Sequence, residues 1–297
     1  WSTDGTSANT QLVMDIGGKF SRCGAMATFG GKLVFSAATP ATGAELWSLD
    51  GTLTAPQLLT DINPAGIPNA PIELTPLGTK LVFTIDVQTP PGESELWALG
   101  STPLSEQLIA DIHPTGSSTP RELTVEGGRV YFVAEEPVHG RELWSTDGTS
   151  AGTWLASDIL PGTGHSDPSE LVAVPGGILF RATSPTAGFE LFQFTSGVAS
   201  LHTDIDPLFV NNDSNPSDLR TVFARELYFS AASSTSTGAE PHALLADGSA
   251  TQLGDLDAGS APSLPRDFTG WVQNGQKRVA FTAQPAGTTR DLYVTDG

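Results

Sequence analysis

The sequence predicts an all-β fold, a six-bladed β-propeller of four-stranded antiparallel blades, from two observations. An Asp-Ile dipeptide, or Asp-Leu in the last copy, occurs six times at gaps of 46, 50, 47, 46 and 51 residues. Between successive copies lie four short strand-like segments separated by Gly- and Pro-rich joins. Repeats of this length with four strands each are typical of propeller blades. A β-sandwich whose segments resemble one another by chance is the alternative.

Three landmarks mark each repeat in a fixed order. An apolar pair ending in Phe comes first, an acid-Leu-aromatic step follows, and Asp-Ile comes last. The Asp-Ile copies begin at Asp15, Asp61, Asp111, Asp158, Asp204 and Asp255. The acid-Leu-aromatic copies are Glu45–Trp47, Glu95–Trp97, Glu142–Trp144, Glu190–Phe192 and Asp291–Tyr293, and Glu240–His242 is a diverged copy. The constant order predicts that every blade has the same strand order.

One repeat shows the four strands clearly, and we name them A to D in chain order. They are predicted at Arg121–Val125, Arg129–Ala134, Arg141–Thr146 and Thr153–Ile159. The A→B join is Gly127-Gly128 and the C→D join contains Asp-Gly, and both are hairpin turn signals because Gly adopts positive φ without a Cβ clash. No window shows a 3.6-residue apolar period, so helix is at most a minor component.

The two ends of the chain predict how the ring closes. Arg266–Asp296 supplies strands A, B and C of a sixth blade, and Gln11–Ile16 supplies its missing strand D. Closure of this kind removes exposed sheet edges. Residues 1–297 are therefore expected to form one propeller domain. Trp1–Gly5 duplicates strand C, which suggests either a displaced strand or an excision from a longer array.

Composition excludes several classes of partner. Fourteen Lys and Arg against 33 Asp and Glu give a net charge of −19, which disfavours nucleic acid and anionic membrane surfaces. No apolar run approaches the length that spans a bilayer. The single cysteine, Cys23, rules out an internal disulfide and is expected to be buried and inert. The chain is expected to be a monomer without membrane insertion.

The repeat also resembles a known family. Glu142–Thr149 reads Glu-Leu-Trp-Ser-Thr-Asp-Gly-Thr, which matches the signature of the ELWxxDGT-repeat (hyalin-like repeat) proteins of bacteria. Trp1–Thr6 and Glu45–Thr52 are further copies, whereas Phe192–Gly197 and His242–Gly248 have lost the Trp. The resemblance implies a secreted or cell-surface propeller, and it implies no catalytic residues.

Residues that occur in every blade are expected to serve the blade itself. The strand-C residues Trp47, Trp97 and Trp144 are predicted to be buried between adjacent sheets. The Asp of Asp-Ile is predicted to cap backbone N–H groups of the following turn, because one carboxylate per blade provides too few ligands for a cation. The longer D→A and B→C loops share one face, which we expect to be the working face.

Acidic residues begin strand A in five of the six blades, on that face. Because strand A is innermost, these carboxylates are candidates for a ligand-binding ring at the mouth of the channel, where their repulsion raises pKa values or recruits a cation. The alternative is that each carboxylate accepts hydrogen bonds from its local loop. The residues are Glu73, Glu122, Glu170, Asp218 and Asp267.

Three histidines fall on the same face and are absent from the repeat pattern. His113 and His165 precede strand A of neighbouring blades, and His139 follows strand B between them. Together with Glu122 and Glu170 they are candidate ligand-binding residues that could hold a Zn²⁺-like ion. Ordinary surface histidines in polar loops are the alternative.

The D→A loop at Asp206–Pro216 is rich in oxygen ligands. Asp206, Asn211 and Asp213 are the candidate metal ligands, and Ca²⁺ is the possible cofactor because it prefers carboxylate and amide oxygens. A plain Asn/Asp turn is the alternative. The apolar tip Leu208–Val210 suggests a contact surface.

Three functions remain open. The leading hypothesis is a secreted or cell-surface binding or adhesion module that recognises a glycan or a protein with one propeller face, with Ca²⁺ assisting. The alternative is a hydrolase or lyase with an acidic and His site at the mouth of the channel. A purely structural repeat array is the third, since propellers serve all these purposes.

Overall fold

The computed structural model describes residues 1–13, 15–16, 23–51, 55–62, 70–85, 94–205, 213–223, 226–233, 238–245, 248–257 and 261–296. The regular elements formed by these residues are 23 β-strands arranged in six antiparallel sheets. In the described part of the chain, no helix has the length and apolar character needed to cross a membrane.

Within each sheet, strands that are consecutive in the chain lie side by side. The first three sheets are β1 (Met26–Phe29), β2 (Lys32–Thr39), β3 (Gly43–Leu49) and β4 (Gln57–Leu58); β5 (Pro71–Leu77), β6 (Lys80–Ile85), β7 (Leu96–Leu99) and β8 (Gln107–Ala110); and β9 (Arg121–Glu126), β10 (Arg129–Glu136), β11 (Gly140–Thr146) and β12 (Trp154–Ser157).

The other three sheets repeat this plan. They are β13 (Ser169–Val174), β14 (Gly177–Ser184), β15 (Gly188–Thr195) and β16 (Val198–Thr203); β17 (Ser217–Phe223), β18 (Glu226–Ala232), β19 (Ala239–Leu244) and β20 (Ala250–Gln252); and β21 (Arg266–Gln273), β22 (Gln276–Ala283) and β23 (Asp291–Thr295). The predicted all-β class and the four-stranded antiparallel blades are therefore confirmed for the first five sheets.

The chain divides into two compact units. The N-terminal unit comprises Trp1–Val130, Ala134–Glu136 and Ser145–Trp154. The C-terminal unit comprises Tyr131–Val133, Pro137–Trp144 and Leu155–Gly297.

Local sequence explains the hairpins. In the fourth sheet, β14 and β15 pair without interruption from Gly177 opposite Thr195 to Ser184 opposite Gly188. The A→B turn before β14 contains Gly176 at φ 86°, a conformation that favours glycine. In the third repeat, Asp147 accepts hydrogen bonds from the backbone N and the hydroxyl of Thr149, at 2.9 and 2.6 Å, so the Asp-Gly pair is a turn former as predicted.

The core consists of apolar side chains from consecutive sheets. In the N-terminal unit, Val34 and Leu46 of the first sheet pack with Leu81 and Phe83 of the second. In the C-terminal unit, Leu179 of the fourth sheet packs in the same way with Leu227 and Phe229 of the fifth. The strand-B Phe of the middle repeats is fully buried, at Phe83, Phe132, Phe180 and Phe229.

The predicted pairing of Gln11–Ile16 with the last sheet is wrong for the described residues. The last sheet contains three strands, and β23 pairs with β22. Gln11 instead forms a two-bond bridge with Ser2, with N···O distances of 2.9 and 3.0 Å. Val13 and Ile16 pack against the buried Phe35 cluster of the first sheet, which fixes this segment there by apolar contact.

The tryptophan prediction is right only in part. Trp47, Trp97 and Trp144 are half-buried rather than fully buried. Trp97 packs on the core formed by the first two sheets, whereas Trp47 packs on the Phe35 cluster and donates its indole N–H to the Ala37 carbonyl at 3.2 Å. Cys23, predicted to be buried, is exposed.

Candidate functional site

The acidic residues that begin strand A share an unusual backbone conformation. Their φ angles are 56° at Glu73, 60° at Glu122, 58° at Glu170, 52° at Asp218 and 62° at Asp267. At Glu73, Glu170, Asp218 and Asp267, the pairing with strand B shifts register across the residue, as in a β-bulge. Positive φ is uncommon for non-glycine residues, so each acid occupies a special backbone position.

The carboxylates of these strand-A acids bind backbone of the next strand A. Within the N-terminal unit, Leu123 N donates to Glu73 Oε2 at 3.3 Å. Within the C-terminal unit, Leu219 N donates to Glu170 Oε2 at 3.3 Å, and Asp267 N donates to Asp218 Oδ2 at 2.5 Å. These bonds give the acids a structural role, whereas ligand binding by them stays a prediction.

The predicted histidine residues do not assemble a metal site. Among the described residues, no three His, Cys, Asp or Glu side chains lie close enough to hold a metal ion. His165 Nδ1 accepts a hydrogen bond from Arg141 N at 2.9 Å. The His113 ring lies against Gly116, where an added Cβ would stand 2.9 Å from the ring, and His139 is half-buried.

The candidate calcium ligands are only partly described. Asp206 and Asn211 lie outside the described residues, as does the apolar tip Leu208–Val210. Asp213 Oδ1 accepts a hydrogen bond from Phe189 N at 2.7 Å. Through this bond Asp213, in the loop that enters the fifth sheet, holds the start of strand C of the fourth sheet. Calcium binding by this loop stays a prediction.

Asp213 and His165 occupy the same place in successive repeats. Each accepts a hydrogen bond from the backbone N of the residue just before the acid-Leu-aromatic step, which is Arg141 for His165 and Phe189 for Asp213. In the repeat before them, Ser117 Oγ plays this part and accepts from Ser94 N at 2.8 Å. Three chemically different acceptors thus satisfy one recurrent backbone donor, which explains these side chains without a ligand.

The principal buried polar group of four repeats is the Glu at the first position of the acid-Leu-aromatic step, which the sequence analysis left without a role. We call Glu95, Glu142, Glu190 and Glu240 the clamp glutamates; all four are buried. Glu142 shows the arrangement. Its carboxylate accepts hydrogen bonds from the hydroxyl of Ser166 at 2.6 Å and from the backbone N of Ser166 and Ile159 at 3.2 and 2.9 Å.

The same bonds recur at the other clamp glutamates. The serine hydroxyl donates at 2.6 Å from Ser118 to Glu95, at 2.5 Å from Ser214 to Glu190 and at 2.7 Å from Ser263 to Glu240. The backbone donors are the N–H groups of these serines and those of Ile112, Ile205 and Leu256. Each clamp ties strand C of one sheet to the loop that enters the next.

The clamp binds the backbone beside the Asp of Asp-Ile, whereas the capping role predicted for this Asp itself stays a prediction. The backbone N–H that follows this Asp donates to the clamp glutamate in four repeats, at Ile112, Ile159, Ile205 and Leu256. A buried donor needs one acceptor, and the Glu carboxylate supplies it from strand C. Asp158 Oδ1 is itself buried without a hydrogen-bond partner in the described structure.

Burial dominates the electrostatics of the clamp. It raises the pKa of Glu95 and Glu142 above the usual range and raises the pKa of Glu190 to about 7. Hydrogen bonds from the serine and the backbone N–H groups act in the opposite direction, because they favour the ionised carboxylate.

A sequence signal for the clamp exists, although the landmarks above do not include it. Each clamp serine begins a Ser-x-Pro-x-acid motif that ends at a strand-A acid. The residue before Pro has positive φ in all four copies, which is unusual before proline. The copies are Ser118–Glu122, Ser166–Glu170, Ser214–Asp218 and Ser263–Asp267.

Comparisons with known proteins identify a fold and no family. No family model matches the chain, and no curated protein matches it. A puromycin-hydrolyzing peptidase of Mycobacterium tuberculosis is similar in structure, with a TM-score of 0.53 and 12% identity over 94% of this chain and 43% of that one. One of two prolyl endopeptidases is similar with a TM-score of 0.51 and 11% identity, over 92% of this chain and 41% of that one.

A third solved structure is the β-propeller domain of the Trilobed protease from Pyrococcus furiosus, with a TM-score of 0.42 and 13% identity, over 94% of this chain and 96% of that one. The chain spans less than half the length of the two peptidases with the higher TM-scores. At 12% and 11% identity, the similarity to these two peptidases shows a shared fold, and activity has to be tested.

Proposed function

We propose that this chain is the β-propeller part of a hydrolase that acts on peptides, and that it admits or holds the substrate while bond cleavage takes place elsewhere in the protein. One observation carries the proposal. The two similar structures with TM-scores above 0.5 are peptidases, and they align with 94% and 92% of this chain but with only 43% and 41% of their own.

The geometry of the candidate residues supports a role outside bond cleavage. The carboxylates of Glu73, Glu170 and Asp218 bind backbone N–H groups, and His165 and Asp213 do the same. A general acid or base needs a proton-transfer position open to substrate. Side chains committed to backbone donors are better suited to fixing loops than to transferring protons.

The test measures turnover and binding with one preparation. The chain is incubated with fluorogenic peptide amides, and fluorescein-labelled peptides and oligosaccharides are titrated against it by anisotropy. We expect peptide binding without turnover. Turnover that Glu122→Gln or Glu170→Gln abolishes at an unchanged melting temperature would place the catalytic centre in this chain, and binding of oligosaccharides alone would contradict the peptide proposal.

The second candidate function is a secreted or cell-surface binding module, with a glycan or a protein as ligand and Ca²⁺ assisting. The Glu142–Thr149 match to the ELWxxDGT signature favours it. Calorimetry with Ca²⁺ compares the wild type with an Asp206→Ala/Asp213→Ala variant. Binding lost in the variant would support this candidate, and binding that survives would remove this loop as the calcium site.

We also propose that each of the six sheets is one blade of a β-propeller. Within each unit, consecutive sheets pack apolar side chains against one another, as at Leu46 with Phe83 and at Leu179 with Phe229, which supports this proposal.

A further inference from the structure

A cavity of about 420 Å³ lies in the N-terminal unit, between the first two sheets. The A→B turns of both sheets line it, at the end opposite to the one predicted as the working face. Phe29, Val34, Leu59 and Leu99 form apolar walls, and the C→D join at residues 100–103 forms one side. Binding pockets for small molecules usually have volumes of about 300–1,000 Å³ with mostly apolar walls and a few polar groups.

The cavity occurs where the repeat is interrupted. At the equivalent junction between the second and third sheets, Lys80 begins strand B, and its ammonium donates to the carbonyl of Gly148 at 2.9 Å, in the Asp-Gly turn of the third repeat. Lys32 is the equivalent residue of the first sheet. The turn it faces, in the second repeat, reads Gly-Ser-Thr-Pro instead of Asp-Gly-Thr. Among the described residues, Lys32 Nζ donates to Gln57 Oε1, at the long distance of 3.5 Å.

A second polar group lines the same cavity. Ser48 is 2% exposed, and its hydroxyl has no hydrogen-bond partner among the described residues. The equivalent residue of the third sheet, Ser145, accepts a hydrogen bond from Arg129 Nε at 2.7 Å. An unsatisfied buried hydroxyl is unfavourable, so a ligand oxygen that accepts from Ser48 would relieve it.

Lys32 gives the cavity its charge. Among the lining residues that the structure describes, Lys32 is the charged one, in a chain of net charge −19. The Lys32 ammonium, the unpaired Ser48 hydroxyl and the Gln57 amide line one cavity, and together they form a donor set for an anionic oxygen. The apolar walls opposite these donors suit a hydrocarbon group.

We propose that this cavity binds a small amphipathic carboxylate, with the carboxylate at Lys32 and Ser48 and an aromatic or branched aliphatic group against Phe29, Leu59 and Leu99. The ligand is one molecule of a size that the cavity encloses, such as an arylalkanoate. This proposal does not depend on the proposed peptide function, because it uses a different part of the chain and a different assay.

The test uses 4-phenylbutyrate and its uncharged counterpart 4-phenylbutyramide as probes, titrated by calorimetry and by ligand-observed NMR. We expect the acid to bind about tenfold or more tightly than the amide, the scale of a charge-assisted hydrogen bond. Lys32→Met should remove this difference, and Lys32→Arg should retain most of it. Lys80→Met is the matched control, because Lys80 donates to the Gly148 carbonyl between the second and third sheets, away from Lys32. This variant should leave binding unchanged.

Ser48→Ala provides an independent readout. It removes the unpaired hydroxyl, so we expect unchanged or slightly higher thermal stability and weaker binding of the acid. Equal binding of acid and amide to the wild type, binding unaffected by Lys32→Met in a folded variant, or no binding of the acid at millimolar concentration would each overturn the proposal.

Discussion

Two sets of carboxylates recur along the chain, the clamp glutamates in four sheets and the strand-A acids in five, and they differ in burial and in partners. The clamp glutamates are buried on strand C, where three or more donors from the following loop converge on each. The strand-A acids are half-buried or exposed at positive φ. Each of their bonds to the next strand A comes from one backbone N–H, and Asp218 and Asp267 also contact the Arg220 guanidinium and the Thr282 hydroxyl. The clamp therefore contributes more to stability, although the strand-A acids are the more conspicuous candidates for chemistry.

The comparison shows that repetition alone does not distinguish a core acid from a surface acid. Burial raises the free energy of an ionised carboxylate, and only a full set of donors offsets this. A partly exposed carboxylate with one donor keeps water as an alternative partner, so its loss is small.

Glu142→Ala should lower the free energy of unfolding by about 3–5 kcal/mol, because it leaves the hydroxyl of Ser166 and several backbone N–H groups buried without an acceptor. Urea unfolding followed by fluorescence measures the change. Glu170→Ala, at a strand-A acid in the same unit, is the matched control. Equal losses in the two variants would break the distinction between the two sets.

Stability should depend on pH through Glu190. Its pKa is raised from 4.5 to about 7 in the folded chain, so the folded state binds the proton more tightly than the unfolded state. The contribution is fully present below about pH 4.5 and is lost as the pH rises through about 7. Melting temperatures between pH 4.5 and 8 measure this dependence. Glu190→Gln should flatten that part of the profile, and an unchanged slope would contradict the raised pKa.

Glu170→Gln should change the free energy of unfolding by about 1 kcal/mol or less, because the amide oxygen can still accept from Leu219 N and the site is open to water. The same urea assay detects the change. The companion variant Glu142→Gln should be more destabilising, since its amide N–H₂ would face other donors. A reversed order would show that the strand-A acids hold the fold.

Sequence reasoning identified the strands well because their signals are local. In the third sheet, the predicted segments Arg121–Val125 and Arg141–Thr146 match β9 and β11 within one residue at each end. Gly turns and alternating apolar positions act over a few residues, and the chain repeats them. The three-stranded last sheet was missed because Gln11–Ile16 finds its partners nearby, in Ser2 and the first sheet.

The candidate site was harder to predict because its partners are distant in sequence. Ser166 lies 24 residues after Glu142, and Leu219 lies 49 residues after Glu170. The acids were identified by type and position, but their partners depend on how one sheet packs on the next. His165 was a candidate ligand because it breaks the repeat, and Asp213 because its loop is rich in oxygen ligands. Both side chains accept from a backbone donor that recurs.

The clamp also has a mechanical consequence. Since each clamp glutamate joins its own sheet to the loop that enters the following sheet, it couples nearest neighbours, as in arrays whose stability is a sum of repeat and interface contributions. Pulling on such a chain would load these links in series, and the link with the weakest donor set would yield first. Within each unit, cooperativity would then depend on a few buried carboxylate links between neighbouring sheets rather than on the number of strands.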